Sequence, residues 1–288
     1  MPRPVEKLIE PIEAPYEEII YQLIGRGAQE ETIPLPKFFP RSPLRYPGGK
    51  NRAIKSIYSF IPETVTKLCS PFLGGASIEL ACSTRMEVHG SDIFGPLVDF
   101  WQELLQNPEE LTKRVRSYHP LSKPMFYNLQ KRYTTLEDKT ERAAAFFVLN
   151  RSSFSGSTLS GGMSPDHPRF NLSAIERLEK FHADNFNVEC LDFRDSIQKH
   201  EDAFLYLDPP YLNGQALYGV NGDTHKGFDH QALAELLYKR DSWIMSYNEC
   251  DEIRKLYNGY TILTPEWTYG MSKNKRSSEV LVFSKDLA

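Results

Sequence analysis

A short apolar segment that ends in two consecutive prolines most constrains how this chain can fold. Residues 203–207 are Ala-Phe-Leu-Tyr-Leu, and Asp208-Pro209-Pro210-Tyr211 follows at once. A continuous apolar run of this length is typical of a strand buried on both faces, as at the centre of a parallel sheet. Proline has no backbone N–H and a fixed φ, so the two prolines form a rigid loop. We therefore predict that Asp208 lies at the carboxyl edge of a central strand, where α/β sheets bind ligands.

Segments of strand and helix character alternate along most of the chain, which predicts an open, doubly wound α/β sheet of Rossmann-like type. Besides residues 203–208, the predicted strands are residues 66–72, 86–92, 186–192, 243–247, 260–265 and 279–283. Residues 93–185 have helical patterns and a Gly/Ser-rich loop, and their length predicts a functional module inserted into the sheet domain. The sheet domain then comprises residues 44–92 and 186–288, and residues 1–43 form an N-terminal appendage with a proline-rich linker.

The charge balance argues against a protein that coats nucleic acid by bulk attraction. The net charge is -4 and the isoelectric point is near 6.0, whereas such proteins are strongly basic. The basic residues are nevertheless concentrated at residues 41–55, 113–132 and 273–276. A solvated helix face or loop explains each cluster by itself. Together the three clusters indicate a local surface for phosphate groups.

The cysteines and the hydropathy exclude several classes of protein. The four cysteines are widely spaced and form no Cys-x-x-Cys pair, so we expect no zinc site, no disulfide framework and no other bound metal. No apolar run approaches the roughly 18 residues of a membrane span, and the first residues lack the pattern of a secretory signal. We therefore expect a cytoplasmic protein with no membrane partner.

Glycine or an acid follows three further predicted strands, as a nucleoside-binding sheet requires at its carboxyl edge. Residues 72–75, Phe-Leu-Gly-Gly, predict a tight turn that a ligand can approach closely, and Asp92 follows the next strand, where a carboxylate can accept hydrogen bonds from a ribose. A ligand-free turn and a helix N-cap are the structural alternatives. Asp192 and Phe193 follow a third strand, where they would hold and cover an adenine, or where Asp192 would cap the next helix.

The segment Asp208-Pro209-Pro210-Tyr211 resembles the catalytic motif of the amino-methyltransferases that act on nucleic-acid bases, and this resemblance implies the chemistry of an aromatic amine. Such an amine is a poor nucleophile because its lone pair is delocalised into the ring. The Asp208 carboxylate and the Pro209 carbonyl would each accept one amino hydrogen and turn the lone pair towards an electrophile. Tyr211 would stack on the base. A strand followed by a proline turn is the structural alternative.

From about Ser42 onwards, the chain is similar to the Dam-type (D12 class) S-adenosylmethionine-dependent DNA adenine N6-methyltransferases. The segments that carry the resemblance, besides residues 208–211, are residues 44–50, 72–77, 91–93, 150–156, 273–276 and 278–281. The resemblance implies a Rossmann-like, doubly wound methyltransferase sheet in which the helical insert serves as the target-recognition module.

The resemblance also implies a reaction and a set of site residues. The methyl group of S-adenosyl-L-methionine would be transferred to the exocyclic amino group of a flipped-out adenine in double-stranded DNA. The implied catalytic residues are Asp208, Pro209, Pro210 and Tyr211. The implied cofactor-binding residues are Tyr46, Lys50, Phe72, Gly74, Gly75, Asp92, Ile93, Asp192, Phe193 and Asp208. The implied DNA-binding residues are Arg45, Asn150, Arg151, Ser153, Ser155, Lys273, Lys275 and Arg276.

Three positions depart from the family pattern. Ser70 stands where an acid usually precedes Pro-Phe, so Asp208 or a water would have to replace one contact to the methionine end of the cofactor. Ala76 stands where glycine is frequent, and we expect its backbone to keep a negative φ. The loop after Gly156 lacks the arginine-rich continuation of members that recognise GATC, so we do not predict GATC as the target.

Other functions stay open at this stage. The same chemistry could act on adenine in RNA, or on an amino group of cytosine or protein, and a module of this fold could bind DNA without catalysis. A nicotinamide-dependent oxidoreductase is disfavoured because residues 74–76 do not form the spaced GxGxxG pattern. A cognate restriction nuclease as partner and a monomer or weak dimer as oligomeric state both fit the sequence.

Overall fold

A computed structural model describes residues 39–164, 169–212, 227–265 and 279–287, all within a compact unit that spans Pro34–Ala288. Its seven-stranded sheet has the order β3-β2-β1-β4-β5-β7-β6. The strands are β1 (Lys67–Ser70), β2 (Glu87–Asp92), β3 (Phe186–Cys190), β4 (Phe204–Leu207), β5 (Trp243–Asn248), β6 (Thr261–Leu263) and β7 (Glu279–Phe283). Neighbouring strands from β3 to β5 pair in parallel, and β7 is antiparallel to both β5 and β6. The predicted α/β, Rossmann-like doubly wound methyltransferase fold is confirmed.

The predicted central strand is the middle strand of the sheet. Every residue of β4 is buried, because β1 and β5 pair with it on either side and helices cover both faces. The strand order reverses between β1 and β4, which are neighbours in the sheet. Such a switch point opens a crevice at the carboxyl ends of the strands, and it places Ser70 and Asp208 at that crevice.

Helices lie between these strands and within residues 93–185, where the sequence patterns predict them. They are α1 (Ile54–Ser59), α2 (Ser77–Cys82), α3 (Gly95–Gln106), α4 (Pro108–Ser117), α5 (Lys123–Arg132), α6 (Lys139–Ser152), α7 (Leu172–Glu179), α8 (Phe193–Lys199), α9 (His230–Leu237) and α10 (Asp251–Leu256). Among the described residues, no helix has the length and apolar content needed to cross a membrane.

Helix α3 packs on the sheet, although it belongs to the range predicted as the insert. The Trp101 ring lies 5.9 Å from the Phe186 ring, and Gln102 Nε2 donates to the Val188 carbonyl of β3 at 2.8 Å. Helix α6 packs on α3 in turn, where the Phe100 and Phe147 rings stack at 5.7 Å. We therefore propose that the recognition module begins after α3 and comprises α4 to α7.

Helix α6 is buried on nearly all sides and fixes the module to the sheet domain. Asp138 caps its N-terminus, since the carboxylate accepts from the Glu141 N–H at 2.7 Å. Residues 143–150 are all buried, so this helix is a core element rather than a surface one.

Candidate active site

A cavity of about 500 Å³ lies at the carboxyl ends of β1, β2 and β4. The volume falls within the range of sites that enclose a small molecule. All of the residues predicted for catalysis and cofactor binding line this cavity, namely Tyr46, Lys50, Phe72, Gly74, Gly75, Asp92, Ile93, Asp192, Phe193, Asp208, Pro209, Pro210 and Tyr211. The fold therefore joins segments that are more than a hundred residues apart in the sequence.

The glycine turn after β1 is shaped by the side chain of Tyr46. Gly74 has a φ of 46°, and a Cβ atom added at Gly75 would lie 2.9 Å from Tyr46 Cβ. Both positions therefore require glycine, one for its backbone angle and one for space. Trp101 Nε1 donates to the Gly74 carbonyl at 3.1 Å and ties the turn to α3.

The predicted negative φ at Ala76 is wrong. Its φ is +53°, in the left-handed region, instead of negative. The turn needs this angle because the Ala76 N–H donates to the Leu73 carbonyl at 2.9 Å, and the Ala76 carbonyl accepts from the first turn of α2. Alanine at this position therefore carries a strain of about 1 kcal/mol that glycine would not.

Asp92 ends β2 and holds the glycine turn in place. Its carboxylate accepts from the Gly74 N–H at 3.2 Å and from the Phe94 N–H at 2.9 Å. Burial raises the pKa of Asp92 above its ordinary value, although the backbone N–H groups oppose this effect. Ile93 is 63% exposed and presents an apolar side chain at the cavity rim. The N-cap residue of α3 is Phe94 and no side chain caps this helix, so the helix-capping alternative for Asp92 is wrong. The ribose contact of Asp92 stays a prediction.

Asp192 and Phe193 form another wall of the cavity. Asp192 caps α8, since its carboxylate accepts from the Arg194 N–H at 2.9 Å. The Phe193 ring packs against Phe72 at 5.8 Å and against Phe228 at 5.2 Å. The capping alternative is therefore present in the structure, and the aromatic cluster supplies a flat apolar surface beside the Asp192 carboxylate.

Asp208 accepts hydrogen bonds from three side chains at the end of β4. Lys50 Nζ lies 2.8 Å from each carboxylate oxygen, and Ser246 Oγ donates to Oδ1 at 2.9 Å. Tyr211 Oη lies 3.0 Å from Oδ1. The Asp208 side chain remains 23% exposed, so the carboxylate keeps accessible acceptor capacity towards the cavity.

Lys50 is the buried cation of the site and connects two carboxylates. Its ammonium also lies 3.4 Å from Glu279 Oε1, and Tyr211 Oη lies 2.9 Å from the same oxygen. Burial by itself lowers the pKa of Lys50, but the carboxylates of Asp208 and Glu279 outweigh it and raise the pKa above its ordinary value. Sequence reasoning missed Glu279, because its pairing with Lys50 exists only in the folded sheet.

The loop after Asp208 is held by Tyr247 of β5. Tyr247 Oη donates to the Pro210 carbonyl at 3.2 Å, accepts from the Leu212 N–H at 3.0 Å and lies 2.8 Å from His230 Nδ1. The Tyr211 and Tyr247 rings are 5.1 Å apart. Tyr247 therefore fixes the Pro-Pro-Tyr loop at both Pro210 and Leu212, as a rigid acceptor site requires.

Comparison with known families decides which class of protein this geometry belongs to. Residues 46–271 match the family of D12 class N6 adenine-specific DNA methyltransferases. This chain belongs to that family. The matched range contains the cavity and all of the predicted site residues that the structure describes except Arg45.

Curated relatives of this D12 family member are named as DNA methyltransferases. The chain is 24% identical over 257 residues to a DNA N-6-adenine-methyltransferase of Escherichia phage P1, a match that covers 81% of this chain and 33% of that relative. It is 22% identical over 209 residues to type II methyltransferase M1.LlaDCHI of Lactococcus lactis subsp. cremoris, with 67% and 73% covered. It is 26% identical over 243 residues to modification methylase LlaI of Lactococcus lactis subsp. lactis, with 74% and 37% covered. The match thus spans only about a third of the phage relative.

Two of the DNA-binding residues predicted for this D12 family member are buried. Asn150 and Ser153 are each 0% exposed. Asn150 Oδ1 accepts from the Arg45 N–H at 2.8 Å, and its amide nitrogen donates to the Arg45 carbonyl at 3.0 Å and to Thr158 Oγ1 at 3.1 Å. Asn150 also lies in the last turn of α6, not in a loop. In this structure Asn150 joins the segment before Tyr46 to the loop after α6, and a DNA contact from it stays a prediction.

The loop after α6 is pressed against Arg45. A Cβ atom added at Gly156, whose φ is +78°, would lie 1.9 Å from the Arg45 carbonyl oxygen. Ser155, at a φ of 54°, is exposed at the tip of this loop beside Phe154, which is 65% exposed. Lys273, Lys275 and Arg276 lie outside the described residues.

Four guanidinium groups lie close together beside this loop. Arg151 donates to the Arg169 carbonyl at 2.9 Å and to the Pro43 carbonyl at 3.4 Å. Burial and the nearby positive charges of Arg177, Arg45 and Arg169 lower the pKa of Arg151 to about 10. In the described part of the chain, no salt bridge joins any of these four arginines to a carboxylate. Sequence reasoning missed Arg169 and Arg177, because their proximity to Arg151 exists only in the folded chain.

Possible metal ligands were sought among the described side chains. No group of three or more His, Cys, Asp or Glu side chains is arranged to hold a metal ion within residues 39–164, 169–212, 227–265 and 279–287. The sequence expectation of no bound metal stays a prediction.

Proposed function

We propose that this protein transfers the methyl group of S-adenosyl-L-methionine to the exocyclic N6 amino group of a flipped-out adenine in double-stranded DNA. The observation that carries the proposal is the position of Asp208. Its carboxylate lies at the tip of the central strand, faces a cavity of about 500 Å³ and is followed by a rigid Pro-Pro-Tyr loop. Membership of the D12 family supports DNA adenine as the substrate.

The residues present fit S-adenosyl-L-methionine. A glycine turn with no room for a Cβ atom, an acid at the end of β2 and an aromatic cluster are the groups that a nucleoside with a charged tail requires. Asp92 would bind the ribose, and Phe193 with Ile93 would enclose the adenine ring. Tyr46 would cover the turn. When bound, the cofactor supplies an electrophilic methyl group on a sulfonium.

The protein orients the amine rather than acting as a covalent catalyst. The Asp208 carboxylate and the Pro209 carbonyl each accept one hydrogen of the amino group, so the nitrogen lone pair points towards the methyl donor. Lys50 and Ser246 hold the carboxylate in position through hydrogen bonds of 2.8 and 2.9 Å. Because Lys50 also contacts Glu279, its one positive charge partly compensates two carboxylates before the substrate arrives.

DNA binding is assigned to the surface that the arginine cluster forms with the loop after α6. Arg45, Arg151, Arg169 and Arg177 concentrate positive charge without a carboxylate partner in the described residues, which is how proteins hold backbone phosphates. The target adenine then leaves the base stack, and the Tyr211 ring stacks on it in the cavity, which offsets part of the unstacking cost of a few kcal/mol.

The experiment is methyl transfer from labelled S-adenosylmethionine to duplex DNA, structured RNA and total protein. We expect transfer to DNA by the wild type and a loss of at least a hundredfold in Asp208→Asn, which keeps the shape of the side chain. Asp202→Asn is the matched control, because Asp202 lies at the opposite end of β4 and pairs with Lys67 on the surface. Transfer to RNA alone, or an Asp208→Asn rate near that of the wild type, would overturn the proposal.

The proposal of a protein partner rests on the names of two relatives. Two relatives carry the names of a type II methyltransferase and a modification methylase. A cognate restriction nuclease is therefore the partner to look for, and modified-base sequencing of DNA from cells that express the protein would give the recognition site. Sedimentation of the purified protein would decide between a monomer and a weak dimer.

A further inference from the structure

A second carboxyl group lies in the cavity wall and has no part in the chemistry described so far. Glu79, in the first turn of α2, lines the cavity and is 2% exposed. Its Oε1 accepts from Ser70 Oγ, at the end of β1, at 2.6 Å. The carboxyl group is thus held at a fixed position between the strand and the helix.

Hydroxyl and acidic groups lie near Glu79 among the described residues. Ser70 faces it from β1, Asp208 from the end of β4 and the Cys82 thiol from its own helix. Lys50 is bound to Asp208 and Glu279 instead. Among the described residues, no salt bridge joins Glu79 to a basic side chain.

Ser77 gives a second, independent indication of a ligand at this wall. Its side chain lines the cavity and is 5% exposed. The hydroxyl is buried without a hydrogen-bond partner among the described residues. A buried hydroxyl is normally satisfied, and one that faces a cavity indicates a polar group of a bound molecule.

A buried carboxyl group without a cation is costly to ionise. Burial raises the pKa of Glu79 to about 7, and the negative charge of Asp208 adds to the shift, although the Ser70 hydrogen bond opposes it. A ligand that brings a positive charge to this wall would reverse the cost. The proposed methyl donor, S-adenosyl-L-methionine, carries such a charge on the α-ammonium group of its methionine portion, in addition to the charge on its sulfonium.

We propose that Glu79, positioned by Ser70 and assisted by the Ser77 hydroxyl, binds the α-ammonium group of the methionine portion of S-adenosylmethionine. This inference rests on the proposed function. The competing explanation is structural: Glu79 would stay protonated and serve only to join β1 to α2. The two explanations differ in how the protein discriminates between ligands with and without the ammonium group.

The test is calorimetric binding of S-adenosylhomocysteine and of 5′-methylthioadenosine, which lacks the amino-acid portion. Glu79→Gln keeps the shape of the side chain and an acceptor for Ser70. We expect it to weaken S-adenosylhomocysteine binding by roughly ten- to a hundredfold, the usual effect of losing a charged hydrogen-bond partner, and to change methylthioadenosine binding less than threefold. Glu103→Gln is the matched control, because Glu103 is equally buried but lies on α3 and bonds to Thr140.

The pH dependence of wild-type binding provides a second measurement that needs no variant. Because Glu79 must ionise to bind a cation, S-adenosylhomocysteine affinity should fall by up to about tenfold for each pH unit below 7, with proton release visible in two buffers of different ionisation enthalpy. Methylthioadenosine binding should show neither effect.

The outcomes separate the two proposals. Equal weakening of both ligands by Glu79→Gln, or a wild-type pH profile that is the same for both, would show that Glu79 is structural and leave the proposed function intact. No binding of either ligand by the wild type would overturn the proposed function and this inference together.

Discussion

Truncation of Asn150 to alanine tests whether this residue is a DNA contact or an internal connector. The substitution removes the acceptor of the Arg45 N–H and the donor to the Arg45 carbonyl. Thr158 Oγ1 still donates to the Gly156 carbonyl at 2.9 Å, so these two groups stay satisfied. The main loss therefore falls on the two backbone groups of Arg45.

The size of the stability loss follows from the N–H and the carbonyl group of Arg45. A buried backbone group left without a partner costs about 1–3 kcal/mol. Both groups of Arg45 are partly buried, and water can enter part of the space, so we expect the free energy of unfolding to fall by about 2–4 kcal/mol. Cofactor affinity should fall as well, since Tyr46 follows Arg45 directly and covers the glycine turn.

Urea denaturation and cofactor calorimetry measure the two effects. Asn128→Ala is the control, because Asn128 is exposed on α5 and its replacement should change the free energy of unfolding by less than about 0.5 kcal/mol. A variant Asn150→Ala with unchanged unfolding and cofactor binding, but weakened DNA binding, would refute the connector role and restore the DNA contact.

Four further predictions concern other parts of the molecule. Ala76→Gly should raise the free energy of unfolding by about 0.5–1 kcal/mol, seen as a higher melting temperature, because it relieves the positive φ. Gly156→Ala should lower it by about 2–4 kcal/mol in urea denaturation, since its Cβ would clash with the Arg45 carbonyl at a positive φ. Burial raises the folded-state pKa of Glu79 to about 7, so its contribution to stability is fully present below the unfolded pKa near 4.5 and is lost as the pH rises through the folded pKa. The free energy of unfolding of the ligand-free protein should fall by roughly 2.5 kcal/mol between pH 5 and 8, and Glu79→Gln should abolish that fall. Arg177→Gln should weaken DNA binding on all sequences alike and reduce the slope of log affinity against log salt by about one, with methylation of saturating DNA unchanged.

The sheet and the cavity were predictable because their determinants are local. An apolar run of strand length, a glycine turn and an acid at a strand end each fix the chain near themselves, and the rules of α/β sheets bring these ends to one edge. The segments that carry Tyr46, Asp92 and Asp208 therefore meet where the sequence predicts.

The site features that could not be predicted from the sequence depend on residues that are distant along the chain. Glu279 contacts Lys50 only because β7 pairs with β5. Arg177 approaches Arg151 only after the chain has folded. Asn150 lies at the border between a helix and a loop, where the sequence pattern does not show which side chain points inward. The left-handed backbone of Ala76 is set by the hydrogen bonds of the turn, which override the preference of alanine.

The position of β7 has a consequence for how the protein is made. Of the seven strands it is synthesised last, yet it lies between β5 and β6, so until it emerges the backbone groups of β5 on that side have no neighbour in the sheet. A growing polypeptide would therefore expose an unpaired, apolar edge during translation, the kind of surface that recruits other strands and aggregates. Ribosome-bound chains that stop after β6 should depend on chaperones for solubility, whereas chains that include β7 complete both the sheet and the pairing of Lys50 with Glu279 in one step.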